Sequence, residues 1–173
     1  MKTDKLLKLM KTFSWIIFIG PCIKAGALLI SSLVTLFING AAAKNLYLDL
    51  NLFELYQFSQ THFVLLISTM LLVITLKAYL FYAVITIFSK VNFKQPFNLA
   101  ISKLISKMSA IALSIGLVSV IGNTYTNYLV GKNYDANLMW SSKEFLFIAS
   151  ILFVISLIYK QGIELQTENE LTI

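Results

Sequence analysis

Four long hydrophobic runs separated by short polar connections set the pattern of this chain: roughly Thr12–Ile38, His62–Phe88, Met108–Leu129 and Trp140–Tyr159. Each supplies the ~20 apolar residues that a helix needs to cross a hydrocarbon core. Only helices and closed barrels satisfy their backbone groups in lipid, and runs this long with so little alternation predict helices. The expected fold class is therefore an all-α membrane protein, a single four-transmembrane-helix bundle of residues 1–173 in which residues 160–173 form a polar tail.

The connections carry patterns of their own. In LYLDLNLFEL (46–55), Leu48, Leu50 and Leu52 alternate with Asp49 and Asn51, a period of two that predicts a short strand or extended segment on the membrane surface. Tyr47, Phe53, Tyr56 and Phe58 are aromatics suited to headgroup depth, so the segment reads as an interfacial cover or as a ligand-sensing patch. The connection 131–140, GKNYDANLMW, is turn-like. In KVNFKQPFNLAISKLISK (90–107), Pro96 disfavours helix at Gln95. Asn98 is a fitting N-cap for a helix that starts at Leu99. Ile101, Leu104, Ile105 and Met108 then recur at helical spacing among Lys103 and Lys107, the pattern of a basic amphipathic turn on an anionic leaflet.

Composition sharpens this picture. Hydrophobic residues make up 58% and charged residues 13%, a balance that leaves apolar surface for lipid to cover. The net charge of +6 is carried by lysine without any arginine, which argues against direct nucleic-acid binding. Lys2, Lys5, Lys8, Lys11, Lys90, Lys94, Lys103, Lys107 and Lys160 fall on one side of the threaded chain, against Lys44, Lys132 and Lys143 on the other. That bias places both termini in the cytoplasm. The first run is about twice the 7–15 residues of a signal-peptide core, so it reads as a span.

Lys24 and Lys77 interrupt the first two spans. Each stands thirteen positions from a lysine at the edge, Lys11 and Lys90, and so about 20 Å in. Both must face protein or a wet cavity. Small and polar residues form a seam on the first span (Gly20, Lys24, Ala27, Ser31, Thr35) and another on the third (Ser109, Ala112, Gly116, Ser119, Asn123, Asn127). Such seams let helices approach closely. On the second span Lys77 points nearly opposite Thr75, and the sequence does not say whether the two lysines share a contact. Glu144 and Asn123 lie at a similar depth, so a Lys24–Asn123–Glu144 cluster is one arrangement, and Glu144 as an acid opening the fourth helix is the other. Pro21 removes one backbone bond just before Lys24 and predicts a bend.

His62 and Cys22 stand far apart, and neither a paired acid within a span, a glycine-rich phosphate loop nor a metal-ligand spacing occurs. The expectation is a protein that is not an enzyme, with no cofactor and no metal.

Four spans, an inner connection with QPFN (95–98) running into a helix, and the ending YKQGIELQTENELTI (159–173) together resemble the bacterial membrane family catalogued as domain of unknown function 2975. Tyr159 stands near the family's aromatic, with Gly162, Leu165, Leu171 and Thr172 in place; where the family carries an acid after the turn, this chain has Leu99, Ala100 and Ile101. The resemblance implies a bacterial inner-membrane location, no established activity, and a genomic association with a small helix-turn-helix regulator. On that reading Pro96, Phe97 and Asn98, together with Gly162, Leu165, Glu168, Glu170, Leu171, Thr172 and Ile173, are candidate partner-docking residues. Gly162 would loosen the helix leaving the membrane, and Leu171 and Ile173 would point the same way in an extended chain. A tail that folds back on the inner lysines, and one frayed in solvent, are the competing readings. The runner-up function is a small transport or anion-binding bundle built on Lys24 and Lys77; association into a homo-oligomer is left open.

Overall fold

The computed structural model describes residues 2–91, 97–132, 134 and 138–171. Its elements are α1 (Lys2–Phe37), a 3-10 turn (Gly40–Lys44), α2 (Phe53–Phe58), α3 (Gln60–Lys90), α4 (Leu99–Val130) and α5 (Ser142–Leu171). The four long helices are each long and apolar enough to cross a membrane, so the protein is a multi-pass, all-α bundle. With 30 to 36 residues each they run about 45 Å or more, beyond the ~30 Å hydrocarbon thickness.

α3 and α4 form the centre: 44% of each apolar window is buried, against 11% for α1 and α5. α1 packs on α3, α3 on α4 and α4 on α5, and among the described residues α1 touches neither α4 nor α5. Neighbours are antiparallel, since Phe18 meets Tyr82, His62 meets Tyr125 and Ser109 meets Ala149. The helices thus stand in a row that leaves a groove over α3 between α1 and the start of α5.

Hydroxyls along the helices are mostly satisfied within their own backbone. Ser14, Ser31 and Thr35 donate to the carbonyls of Met10, Ala27 and Ser31, and Thr86, Ser114 and Thr124 do likewise four residues back. Such bonds make Ser and Thr tolerable in lipid, where no water can serve them. Ser59 caps α3 by accepting from the His62 N–H, and Asn98 caps α4 by accepting from Ala100 at 2.7 Å. α1 continues through Pro21.

The α4–α5 contact is built on small residues, as the pattern predicted, with one shift. Ser109, Ala112, Gly116 and Ser119 are buried, but the seam then continues through Gly122 and Thr126, while Asn123 and Asn127 are exposed. Steps of three and four must average 3.6, and a run ending 119, 123, 127 drifts off the face that 119, 122, 126 keeps. Ser109 Oγ donates to the Ala149 carbonyl at 3.0 Å across the interface. A Cβ at Gly116 would stand 2.6 Å from Leu146, and one at Gly122 would stand 2.6 Å from the Trp140 ring. Trp140 Nε1 donates to Thr126 Oγ1 at 2.9 Å. On α1 the buried positions are Ser14, Leu28, Ser32 and Thr35, so the predicted stripe is rotated there too, and Gly20 is open.

The expected strand at 46–55 is replaced by a turn and a helix; no strand occurs among the described residues. Leu46 N–H donates to the Leu50 carbonyl, and the chain reverses through Leu48 and Asp49 at φ 44° and 62°. This left-handed pair turns Leu48 outward, 81% exposed, while Leu46 and Leu52 are buried. The alternation was real, but it reports two anchors on either side of a tight turn. Asn51 accepts from Phe53 N–H and opens α2. At the same end Phe58 stacks on both His62 and Tyr134, and His62 Nδ1 hydrogen-bonds the Tyr125 hydroxyl, so His62 joins α3 to α4.

Candidate functional site

Lys24 and Lys77 come together. α1 and α3 pair antiparallel with Phe18 against Tyr82, and the same register sets position 24 opposite position 77. Both side chains line one cavity of about 500 Å³. Its floor is Leu28 from α1 with Met70, Val73 and Ile74 from α3. Its cover is the turn Tyr47–Asn51 together with Leu138, Met139 and Trp140 ahead of α5. The cover fits because the turn at Leu48 and Asp49 folds the loop back over the groove, and because Trp140 is seated on Gly122.

Both ammonium groups rest near aromatic faces. Lys24 Nζ is 5.9 Å from the centroid of Tyr47, and Lys77 Nζ is 4.8 Å from that of Phe145. A cation over a ring is worth about 0.5–2 kcal/mol. A lysine at mid-span costs about 2.5–3.5 kcal/mol, so the rings offset only part of it. Among the described residues neither lysine has a carboxylate within salt-bridge distance. Lys77 feels Lys24, which repels it, and Glu144, which attracts it. The wet cavity is what keeps two like charges tolerable at one level.

The predicted residues divide accordingly. Glu144 opens α5, exposed and in electrostatic range of Lys77, the arrangement of an acid at a helix N-terminus. Asn123 is exposed on α4 and does not line the cavity, and α1 is not a neighbour of α5, so the Lys24–Asn123–Glu144 cluster is not assembled. Tyr47, Asp49, Trp140 and Phe145 are the site residues that sequence reasoning missed. A signal for two of them existed: Asp49 and Asn51 mark a turn, and a turn rather than a strand brings its residues over the groove.

At the end of the bundle where α4 begins, the two segments that carried the resemblance touch. Phe97 lies edge-on to Tyr159, centroids 5.4 Å apart, and a Cβ at Gly162 would overlap the Phe97 ring. Gly162 therefore does not loosen the helix: α5 runs through it unbroken to Leu171, and its bare face is the seat for Phe97. Leu165 is 61% exposed and Glu168 is exposed as well. Of Glu170 and Leu171 only the helical backbone is described, and Pro96, Thr172 and Ile173 lie outside the described residues. The extended reading of Leu171 gives way to helix.

The model of the family described as "Protein of unknown function (DUF2975)" matches residues 35–173. This chain belongs to that family. No curated protein and no solved structure matches it. The DUF2975 match takes in Lys77, the cavity cover and the Phe97–Gly162 contact, and it begins after Lys24. In this DUF2975 chain the QPFN connection and the glycine of the tail are thus two halves of one intramolecular contact.

Proposed function

We propose that the protein is a regulatory component of a bacterial cytoplasmic membrane, with both termini inside the cell, whose inner connection and helical tail present a docking platform to a small helix-turn-helix regulator. The observation that carries this reading is the continuation of α5 as one helix through Gly162 to Leu171, held against the α4 start by Phe97. A rigid projection costs less ordering entropy on binding than a frayed tail. Its exposed Leu165 and its acids Glu164 and Glu168 offer a partner both apolar and charged contacts. The lysine bias between the connections supports the inward orientation.

The test is co-purification of the full-length protein with the helix-turn-helix protein encoded beside it. Removal of residues 164–173 abolishes recovery of the regulator while the membrane bundle still accumulates. Unchanged recovery overturns the reading.

A further inference from the structure

We infer that the cavity between α1 and α3 binds an amphipathic organic monoanion, a carboxylate carried on a hydrocarbon body of medium length. The inference is independent of the docking role of the tail.

Four observations converge on it. The cavity holds two ammonium groups from different helices, and one bound negative charge between them relieves their mutual repulsion. Their aromatic neighbours lie over 4 Å away and leave donors available. The remaining wall is apolar, with Leu28, Val73, Ile74 and Trp140 facing the same space, so it suits a hydrocarbon body and not a bare inorganic ion. A volume of about 500 Å³ is that of a small-molecule site. The acids set the charge of the ligand: Asp49 stands in the cover and Glu144 near Lys77, which keeps the net field modest and disfavours a di- or triphosphate.

The chain has two tryptophans, and Trp140 lines the cavity, so a Trp15→Phe background makes its fluorescence a site reporter. Full-length protein in nanodiscs of zwitterionic lipid is titrated with decanoate, decanol and acetate, and the same titrations are followed by calorimetry. Decanoate is expected to bind saturably, at least ~10-fold tighter than decanol or acetate. The Lys24→Met, Lys77→Met double variant loses ~10-fold or more for decanoate and keeps its response to decanol. Ile74→Phe, which fills the cavity without touching charge, weakens decanoate as well. Equal affinity for decanoate and decanol overturns the proposal, and so does acetate binding as tightly as decanoate. Undiminished decanoate binding by the double variant, or no saturable response by either readout, overturns it too.

Discussion

Phe97 covers Gly162: the ring that opens the inner end of α4 occupies the space in which any side chain at position 162 would have to sit. Tyr159, one turn earlier on α5, meets the same ring edge-on. An aromatic on one helix and a glycine on another form a shape-specific pair, because neither a larger residue at 162 nor a smaller one at 97 keeps the contact.

Gly162→Leu is therefore expected to force Phe97 off its seat and to lower stability by about 1–3 kcal/mol, the usual range for overpacking. Phe97→Ala loses the contact from the other side, leaving a gap. The double variant Phe97→Ala, Gly162→Leu should recover part of the loss, since the introduced side chain then has room. Unfolding midpoints in detergent measure all three, and strict additivity would show the two positions to be uncoupled.

The same cycle applies at the other end of α5. Trp140→Phe removes the N–H that donates to Thr126 Oγ1, and Thr126→Val removes the acceptor. Interhelical hydrogen bonds in membranes average about 0.6 kcal/mol and reach about 1.7 kcal/mol. Each change should cost in that range, and the double change little more than one. Gly122→Ala should cost more than either, because the Trp140 ring has no free space to yield.

These contacts show what the sequence could and could not convey. The four spans were legible because length and hydropathy are chain-local: the runs beginning at Thr12, His62, Met108 and Trp140 lie inside or beside α1, α3, α4 and α5. The seam on α4 was legible as far as Ser119 and then slipped by one, since Gly122 and Asn123 are equally small or polar choices and only packing against Trp140 decides between them. The shared depth of Lys24 and Lys77 followed from helix rise, and their shared cavity did not, because the rotation of each helix is set by its neighbours. The strand reading of 46–55 failed for a related reason. Period two describes where side chains point and is blind to a left-handed pair at Leu48 and Asp49.

If both lysines are tolerated by water in the cavity and retained for a ligand, they weaken the ligand-free fold. Lys77→Met should then raise the unfolding midpoint, by about 1 kcal/mol once loss of the Phe145 contact is set against the insertion cost of about 2.5–3.5 kcal/mol. Lys24→Met should act in the same direction, and the pair should gain less than the sum, since removing one lysine already lifts the repulsion felt by the other. A lower midpoint for Lys77→Met would mean that its contact with Phe145 holds α3 to α5.

Threading can be read with the chain's own thiol. Cys22 lies two positions from Lys24, deep within α1, and it is the single cysteine of the chain. In intact cells it is expected to escape a membrane-impermeant maleimide, because thiolate formation needs water around the sulfur. Leu48 stands 81% exposed at the tip of the turn that covers the cavity. In a Cys22→Ser background, Leu48→Cys should label rapidly from outside, whereas a cysteine replacing Lys160 should label only after the membrane is opened. The reverse pattern would invert the bundle, moving the cavity cover to the cytoplasm and the Phe97–Gly162 contact to the exterior, and a tail so placed would meet no cytoplasmic regulator.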